Sequence, residues 1–223
     1  MEIKAFIFDL NGTMIDDMPY HARAWYDILN IDLEAGLTWD EVTNQMYGKN
    51  DELLERIFGK NHFPPSKVKE LSIEKERRYQ EAYLPHLALL NGLRKFLEKT
   101  EACGIAMAIG SAAIPFNIDF VLDNLHIRQF FKAIVSADDV LTSKPDPETF
   151  IKCAALLAVA PADCLVFEDA PKGVEAALNA GMQTVVLTTM HSKDEFKNYD
   201  NIMAFIGDYT SVSPADFLKQ PKK

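Results

Sequence analysis

The sequence lacks any apolar run near the roughly 18 residues that a membrane-spanning helix needs. Its three cysteines are odd in number and include no CxxC pair. Cys103 and Cys164 have apolar neighbours, so we expect buried thiols rather than a catalytic cysteine. The segment 1–10 places an aspartate within its apolar run, which does not fit a secretory signal. These features together predict a reduced, cytoplasmic setting without membrane contact.

Positive charge is also scarce. The chain has 23 lysines and arginines against 33 acidic residues, which gives a net charge of −10. Such a surface repels nucleic-acid backbones and anionic lipid, so neither is an expected partner. A small phosphorylated substrate remains compatible, because local lysines and a bound metal ion can override the overall field.

What is present is an alternation of short apolar runs with amphipathic stretches, in a chain of 223 residues. This pattern predicts an α/β fold with a doubly wound, Rossmann-like parallel sheet. Prolines at 115 and 147 predict helix starts, and Gly181 predicts a helix end. The six predicted strands are Lys4–Phe8, Ile105–Ile109, Ala133–Val135, Cys164–Phe167, Thr184–Leu187 and, more weakly, Met203–Ile206.

One segment interrupts this alternation. From Asp16 to about Tyr83 the sequence shows helical spacing and no convincing strand. An ordinary crossover between parallel strands is much shorter. We therefore expect a small all-α helical cap domain, residues 16–84, inserted into an α/β core of residues 1–15 and 85–223. A longer single domain is the alternative.

Polar residues follow consecutive predicted strands, where ligands bind in open α/β sheets. Asp9 follows the first strand, Ser111 the second, Lys144 lies beyond the third, and Glu168 and Asp169 follow the fourth. Each residue alone has an ordinary explanation as a turn, cap or surface residue. Their occurrence in this order predicts a phosphoryl-transfer site.

Each of these residue types has a role in such chemistry. An exposed aspartate at a strand end can attack phosphorus. Asp9, Glu168 and Asp169 are three carboxylates that imply a hard cation, and oxygen-only ligands suit Mg²⁺. Ser111 can donate to a phosphate oxygen, and Lys144 can neutralise charge on the transferring group. Gly12 allows close approach of the backbone to a phosphate.

Four segments resemble the motifs of the haloacid dehalogenase superfamily, in its β-phosphoglucomutase-like branch with a helical cap after the first strand. They are Phe8–Thr13, Ile109–Ser111, Lys144–Pro147 and Phe167–Gly173. The resemblance implies that Asp9 is the phosphorylated nucleophile. It implies Mg²⁺ held by Asp9, the carbonyl of Asn11, Glu168 and Asp169.

The resemblance extends to the predicted cap. The segment Tyr20–Trp25 is similar to the hinge-to-cap segment, whose histidine helps to couple cap closure to catalysis, and Lys75 and Lys49 fall near substrate-facing positions. A helix-start polar residue and plain surface lysines are the alternatives for these three positions. The residues expected to contact the substrate are Gly12, Thr13, His21, Lys49, Lys75, Ser111, Ala112 and Lys144. We expect cap closure over the site and a monomer.

The pattern departs from the family at Asn11, where the superfamily has the aspartate that acts as general acid and base. An amide cannot exchange a proton in this way. Four explanations remain open: slow turnover or activated substrates only, a proton from His21 or Asp16, an engineered substitution, or a phospho-ligand binder without turnover. Deamidation of Asn11 to aspartate is a further chemical possibility.

A second departure follows Ser111, where Ala112 and Ala113 replace the mutase's polar residues and Asn117 offers only partial compensation. We therefore rank a phosphohydrolase acting on a small phosphorylated metabolite, such as a sugar phosphate, ahead of a β-phosphoglucomutase. A non-catalytic phospho-ligand binder is the third interpretation. Dehalogenation is disfavoured, because the Glu168–Asp169 pair would have no purpose in it.

Overall fold

The computed structural model describes residues 3–218, so residues 1, 2 and 219–223 of the predicted core lie outside the described residues. The chain divides into two compact units. One, here the core unit, combines Met1–Asp16 with Ala88–Lys223, and the other, the helical unit, is Asp17–Leu87. The helical unit covers nearly the same range as the expected cap of residues 16–84, and its action as a cap stays a prediction.

The core unit contains a parallel sheet of six strands. The strands are β1 Ala5–Phe8, β2 Ala106–Gly110, β3 Ala133–Val135, β4 Cys164–Glu168, β5 Gln183–Leu187 and β6 Ile202–Ile206. Their order is β3-β2-β1-β4-β5-β6, which confirms the predicted doubly wound sheet. The order reverses between β1 and β4, and ligands bind beside such a switch point in open α/β sheets.

Helices account for most of the remaining chain. In the helical unit they are α1 Met18–Asp27, α2 Trp39–Thr43, α3 Asn50–Phe58 and α4 Pro65–Tyr83. In the core unit they are α5 Leu93–Ala102, α6 Pro115–Asn124, α7 Glu148–Leu156 and α8 Pro171–Asn179. The predicted helix starts near Pro115 and Pro147 and the end near Gly181 are confirmed.

Aromatic packing fixes the register of the two central strands. Phe6 and Phe8 alternate along β1 onto one face of the sheet, where Phe8 stacks on Phe167 of β4 with ring centroids 4.7 Å apart. Phe96 of α5 packs against Phe6 on the same face, at 5.9 Å. The opposite face of β1 carries Ala5 and Ile7 in a second buried cluster. Both faces are covered, as parallel sheets require, and the strand ends are thereby held in place.

The cysteines divide differently from expectation. Cys153 and Cys164 are buried, and burial raises the pKa of Cys153 to about 12 and that of Cys164 to about 11. Cys103 is exposed, so its predicted burial is wrong. It caps the C-terminal end of α5, directly before the turn at Gly104, and its neighbour Ala102 is exposed as well. None of the three sits at a polar site that would make it catalytic.

The helical unit has its own apolar core, built from one face of each of its four helices. Its members include Trp25, Leu29, Val42, Leu54 and Leu71. Within residues 3–218, no helix combines the length and apolar character needed to cross a bilayer.

Candidate active site

Strand register brings the predicted site residues to one edge of the sheet. Phe8 pairs with Ile109 of β2 and with Phe167 of β4. The next residue along each strand is therefore Asp9, Gly110 or Glu168, side by side at the switch point. Asp9 and Glu168 are 159 positions apart in the sequence, and the parallel register explains why they meet.

Lys144 is the cation of this cluster. Its Nζ lies 2.6 Å from Asp9 Oδ1 and 2.8 Å from Glu168 Oε1, and its side chain is largely buried. Burial alone would lower the pKa of Lys144, but the charges of Asp9 and Glu168 outweigh it and raise the pKa. Lys144 therefore stays charged at neutral pH and places a positive charge beside the Asp9 carboxyl group.

Glu168 and Asp169 differ in what they contact. The Glu168 Oε2 atom accepts from the N–H groups of Asp169 and Ala170, both at 2.7 Å, while its other oxygen accepts from Lys144. Asp169 accepts from the Thr13 hydroxyl at 3.2 Å. Burial, and then the charges of Glu168 and Asp9, raise the pKa of Asp169 well above its ordinary value. The cluster thus carries more negative charge than Lys144 offsets.

Two glycines allow the carboxylates to approach the backbone. Gly12 has φ +75°, and a Cβ there would lie 2.2 Å from Asp169 Oδ2. A Cβ at Gly173, in the first turn of α8, would lie 1.7 Å from Glu168 Oε1. Any larger residue at either position would displace a carboxylate, so both glycines are required by the site.

The remaining core residues predicted for the site lie on the same loops. Ser111 is 1% exposed; its backbone N–H donates to Val135, and its hydroxyl oxygen accepts from the Ala113 N–H at 3.1 Å. That geometry leaves the Ser111 O–H as a donor beyond the end of β2. Ala112 follows it, half-buried, and offers no side-chain donor. Asn11 is half-buried in the turn after Asp9.

Within the helical unit, α1 and α4 bury a cluster of polar side chains. Tyr79 donates to Asp17 Oδ2 at 2.6 Å, and the same oxygen lies 3.2 Å from His21 Nε2. Lys75 Nζ lies 2.8 Å from His21 Nδ1 and 3.0 Å from both oxygens of Glu76. The His21 ring stacks on Tyr79 at 3.7 Å. His21 and Lys75 therefore belong to one buried cluster, so Lys75 is not a plain surface lysine, whereas His21 does lie in the first turn of α1.

This geometry constrains the chemistry of His21. A charged Lys75 has donors only, so Nδ1 must accept from it and Nε2 must carry the hydrogen that faces Asp17. A hydrogen on Nδ1 would point at the N–H groups of Lys75, so that two donors would face each other. Both ring nitrogens thus have partners within the helical unit, and a role of His21 as proton source stays a prediction. Burial lowers the pKa of Lys75, and the charges of Glu76 and Asp17 partly offset this effect.

Lys49 stands immediately before α3, and its backbone N–H donates to Glu52 at 3.0 Å. The contact with the buried cluster is made by its neighbour Asn50, whose amide donates to Glu76 Oε1 at 2.7 Å. The predicted substrate role of Lys49 stays a prediction.

The sequence analysis missed residues in both units. In the core unit, Thr189 after β5 and Tyr209 after β6 hydrogen-bond to the turn that follows Asp9. The strand-end argument, applied to the fifth and sixth strands, would have found them. In the helical unit, the missed residues are Asp17, directly before α1, and Glu76 and Tyr79 of α4. Helical periodicity does not tell whether such polar side chains are buried or exposed.

Fold and site together define a Rossmann-like α/β enzyme whose reactive side chains stand at the carboxyl ends of parallel strands. Comparison with known proteins gives the family: residues 3–181 match the haloacid dehalogenase-like hydrolases. The chain belongs to this family.

Relatives with established names include phosphotransferases and phosphatases. The chain is 35% identical over 191 residues to the β-phosphoglucomutase of Bacillus subtilis (strain 168), covering 82% of each chain. It is 29% identical to the fructose-1-phosphate phosphatase of Escherichia coli (strain K12), over 80% of this chain and 93% of that one. The solved β-phosphoglucomutase of Clostridium difficile superposes with a TM-score of 0.82 at 25% identity, covering 96% and 94%.

Proposed function

We propose that this enzyme is a Mg²⁺-dependent phosphohydrolase of small phosphorylated metabolites, with sugar phosphates as its substrate class. The observation that carries the proposal is the buried contact between Lys144 and Asp9 at the switch point of the sheet. The names of the relatives support it, since one is a sugar phosphatase and another a sugar phosphomutase.

The reaction follows from the positions of these groups. An Asp9 carboxylate oxygen attacks phosphorus, the bond to the leaving oxygen breaks, and an aspartyl phosphate forms. Water then attacks phosphorus, releasing inorganic phosphate and restoring Asp9. Lys144 offsets charge on Asp9 and on the transferring group, and the Ser111 hydroxyl donates to a phosphate oxygen.

The donor set fits a hard divalent cation. Three buried carboxyl groups lie around one lysine, and burial, followed by the charges of Glu168 and Asp9, raises the pKa of Asp169. No group of three Asp, Glu, His or Cys side chains in residues 3–218 is already arranged around a metal position. We infer that Asp9, Asp169 and the Asn11 carbonyl hold Mg²⁺, which would neutralise phosphate charge. Glu168, also predicted as a ligand, uses its oxygens to orient Lys144 and the loop after β4.

Hydrolysis is favoured over mutase chemistry by the apolar residues that follow Ser111. Ala112 and Ala113 bring no polar side chain there. In the helical unit, the charge of Lys75 is already balanced by Glu76. The 35% identity to a β-phosphoglucomutase favours the mutase as second candidate. Supplying glucose 1-phosphate with a bisphosphate primer separates the two, because phosphate release indicates a hydrolase and glucose 6-phosphate a mutase.

A phosphate-release screen tests the proposal. Sugar phosphates, nucleotides, acyl phosphates and pyrophosphate are supplied with and without Mg²⁺ to the natural chain and to Asp9→Asn. We expect Mg²⁺-dependent release that falls at least about a thousandfold in Asp9→Asn. The matched control is Asp163→Asn, at the opposite end of the sheet, where Asp163 pairs with Lys4. Equal activity in Asp9→Asn would contradict the role of Asp9 as nucleophile, and phosphate binding without turnover would favour a phospho-ligand binder.

A further inference from the structure

Two hydroxyl groups from the far side of the sheet hold the turn that follows Asp9. Thr189 Oγ1, just beyond β5, donates to the Gly12 carbonyl at 2.6 Å. Tyr209 OH, beyond β6, donates to the Thr13 carbonyl at 3.2 Å. Neither β5 nor β6 carries a residue of the proposed reaction, so these contacts link outlying strands to the turn.

The two carbonyls are consecutive, which gives the contacts a directional effect. In a trans peptide the carbonyl of one residue and the N–H of the next point in opposite directions. Fixing the Gly12 carbonyl on one side therefore fixes the Thr13 N–H on the other. Gly12 lies at φ +75°, and the two outside contacts add to the turn's own hydrogen bonds, from Gly12 N–H to Ile15 and from Met14 N–H to Leu10.

Tyr209 is a rigid donor. It is 2% exposed, and its ring packs on Phe96 at 5.2 Å and Phe167 at 5.9 Å. Its backbone N–H donates to the Asn91 carbonyl at 2.9 Å. Burial, and then the charges of Asp169 and Asp9, raise the pKa of the Tyr209 hydroxyl well above its ordinary value. The hydroxyl therefore keeps its proton at neutral pH and can donate it to the Thr13 carbonyl.

The same turn is tied to the acidic cluster. The Thr13 hydroxyl donates to Asp169 Oδ1, and Gly12 packs against the Asp169 carboxylate. A shift of the turn would move Asn11 and Asp169 together relative to Asp9. The contacts from Thr189 and Tyr209 thus act on the geometry of reacting groups that neither residue touches.

We propose that Thr189 and Tyr209 are positioning residues that aim the Asn11–Thr13 turn at the phosphoryl group. The inference rests on the proposed function, because it assumes that phosphate binds beside Asp9. Loss of a hydrogen bond to this turn should slow the chemical step more than it weakens substrate binding, since the turn must match the transition state closely.

Thr189→Val keeps the shape of the side chain and removes the donor. We expect kcat to fall about tenfold with little change in KM, and Thr189→Ser to recover kcat to within about twofold. Tyr209→Phe should lower kcat about threefold, because its bond is longer. Thr188→Val is the matched control: the Thr188 hydroxyl donates to Ile206, away from the turn, and activity should not change.

A merely structural role makes a different prediction. It would lower the melting temperature of Thr189→Val without a kcat-specific loss, or would leave Ser and Val variants equal. Either result overturns the inference while leaving the phosphatase proposal intact, provided that the natural chain turns over.

Binding supplies a readout that does not need turnover. Calorimetry with Mg²⁺ and either orthovanadate or inorganic phosphate compares a five-coordinate mimic with the ground state. We expect Thr189→Val to weaken vanadate binding about tenfold and phosphate binding less than threefold. If the natural chain binds both ions without turnover, the proposed function fails alone. Equal weakening of both, no weakening, or no binding by the natural chain would contradict the positioning role.

Discussion

The core unit and the helical unit each bury a cluster of charged side chains, but the core cluster has more carboxyl groups for its one lysine. In the core unit, three carboxylates share Lys144, and the pKa of Asp169 is raised by burial and by its acidic neighbours. In the helical unit, Lys75 pairs with Glu76, and Asp17 accepts a hydrogen bond from Tyr79. A buried excess of carboxyl groups favours a bound cation or substrate, whereas a cluster whose lysine is paired and whose second carboxyl group is hydrogen-bonded can serve structure alone.

The sharpest test of this contrast is Asn11→Asp, which adds a group able to exchange protons at the core cluster. General acid–base assistance is worth about 10²- to 10⁴-fold, so kcat on alkyl phosphates should rise by that order. The gain should shrink on aryl and acyl phosphates, whose leaving groups need no proton. Steady-state rates across a leaving-group series provide the measurement. A uniform gain, or none, would contradict the assigned role of Asn11.

The next effect concerns Lys144→Met, which leaves the carboxylates of Asp9 and Glu168 without their cation. We expect kcat/KM to fall about 10²- to 10³-fold, because charge on the transferring group loses its partner. Lys132→Met, at an exposed site before β3, is the matched control and should retain full activity. A loss below threefold in Lys144→Met would remove the electrostatic argument.

For the helical unit we expect a stability effect instead. Lys75→Met leaves Glu76 as a buried charge without its cation, which should lower the free energy of unfolding by about 3 kcal/mol. Adding Glu76→Gln should recover much of that loss. Urea denaturation of the single and double variants measures both. A double variant as unstable as the single one would show that the pair is not balanced in the way described.

The pH dependence of the same variant has a defined sign. Burial lowers the pKa of Lys75 below its ordinary value of 10.5. Between the folded-state pKa and 10.5, the unfolded chain binds more protons, so Lys75 makes stability rise with pH in that window. Lys75→Met should lose this rise. Denaturation midpoints measured upward from neutral pH check the direction.

The smallest expected effect is that of Tyr79→Phe, which removes one donor to Asp17. We expect about 1–2 kcal/mol of destabilisation, because the buried Asp17 side chain loses one hydrogen bond. Tyr26→Phe, whose ring packs on Trp39 in the same unit, controls for hydroxyl removal and should change little. Thermal unfolding separates the two variants.

The two units also differ in how far the sequence could predict them. Apolar runs predicted all six strands of the core unit, and the strand-end rule then gathered Asp9, Lys144, Glu168 and Asp169 at one edge. In a parallel sheet, the residue after each strand lies at the same edge of the sheet. Helices of the core unit were predicted less completely than its strands. Helix α5 was not predicted, although its apolar positions follow helical spacing.

The helical unit shows the limit of such reasoning. Helical spacing indicates which residues share a face, and it does not say which polar residues that face buries. Glu76 and Tyr79 become visible only when α1 and α4 pack together, and Asp17 only when α1 begins beside them. The predicted burial of Cys103 was wrong for a related reason, since apolar neighbours do not guarantee burial at the end of a helix.

The central claim is that Asp9 becomes phosphorylated, and trapping that intermediate tests it most directly. Rapid acid quench during turnover of a phosphate ester with Mg²⁺, followed by peptide mass measurement, should locate one phosphoryl group on Asp9. The label should be removed by hydroxylamine, as an acyl phosphate requires. Unmodified Asp9 under conditions in which phosphate is released in a burst, or a phosphoryl group on another residue, would contradict the account.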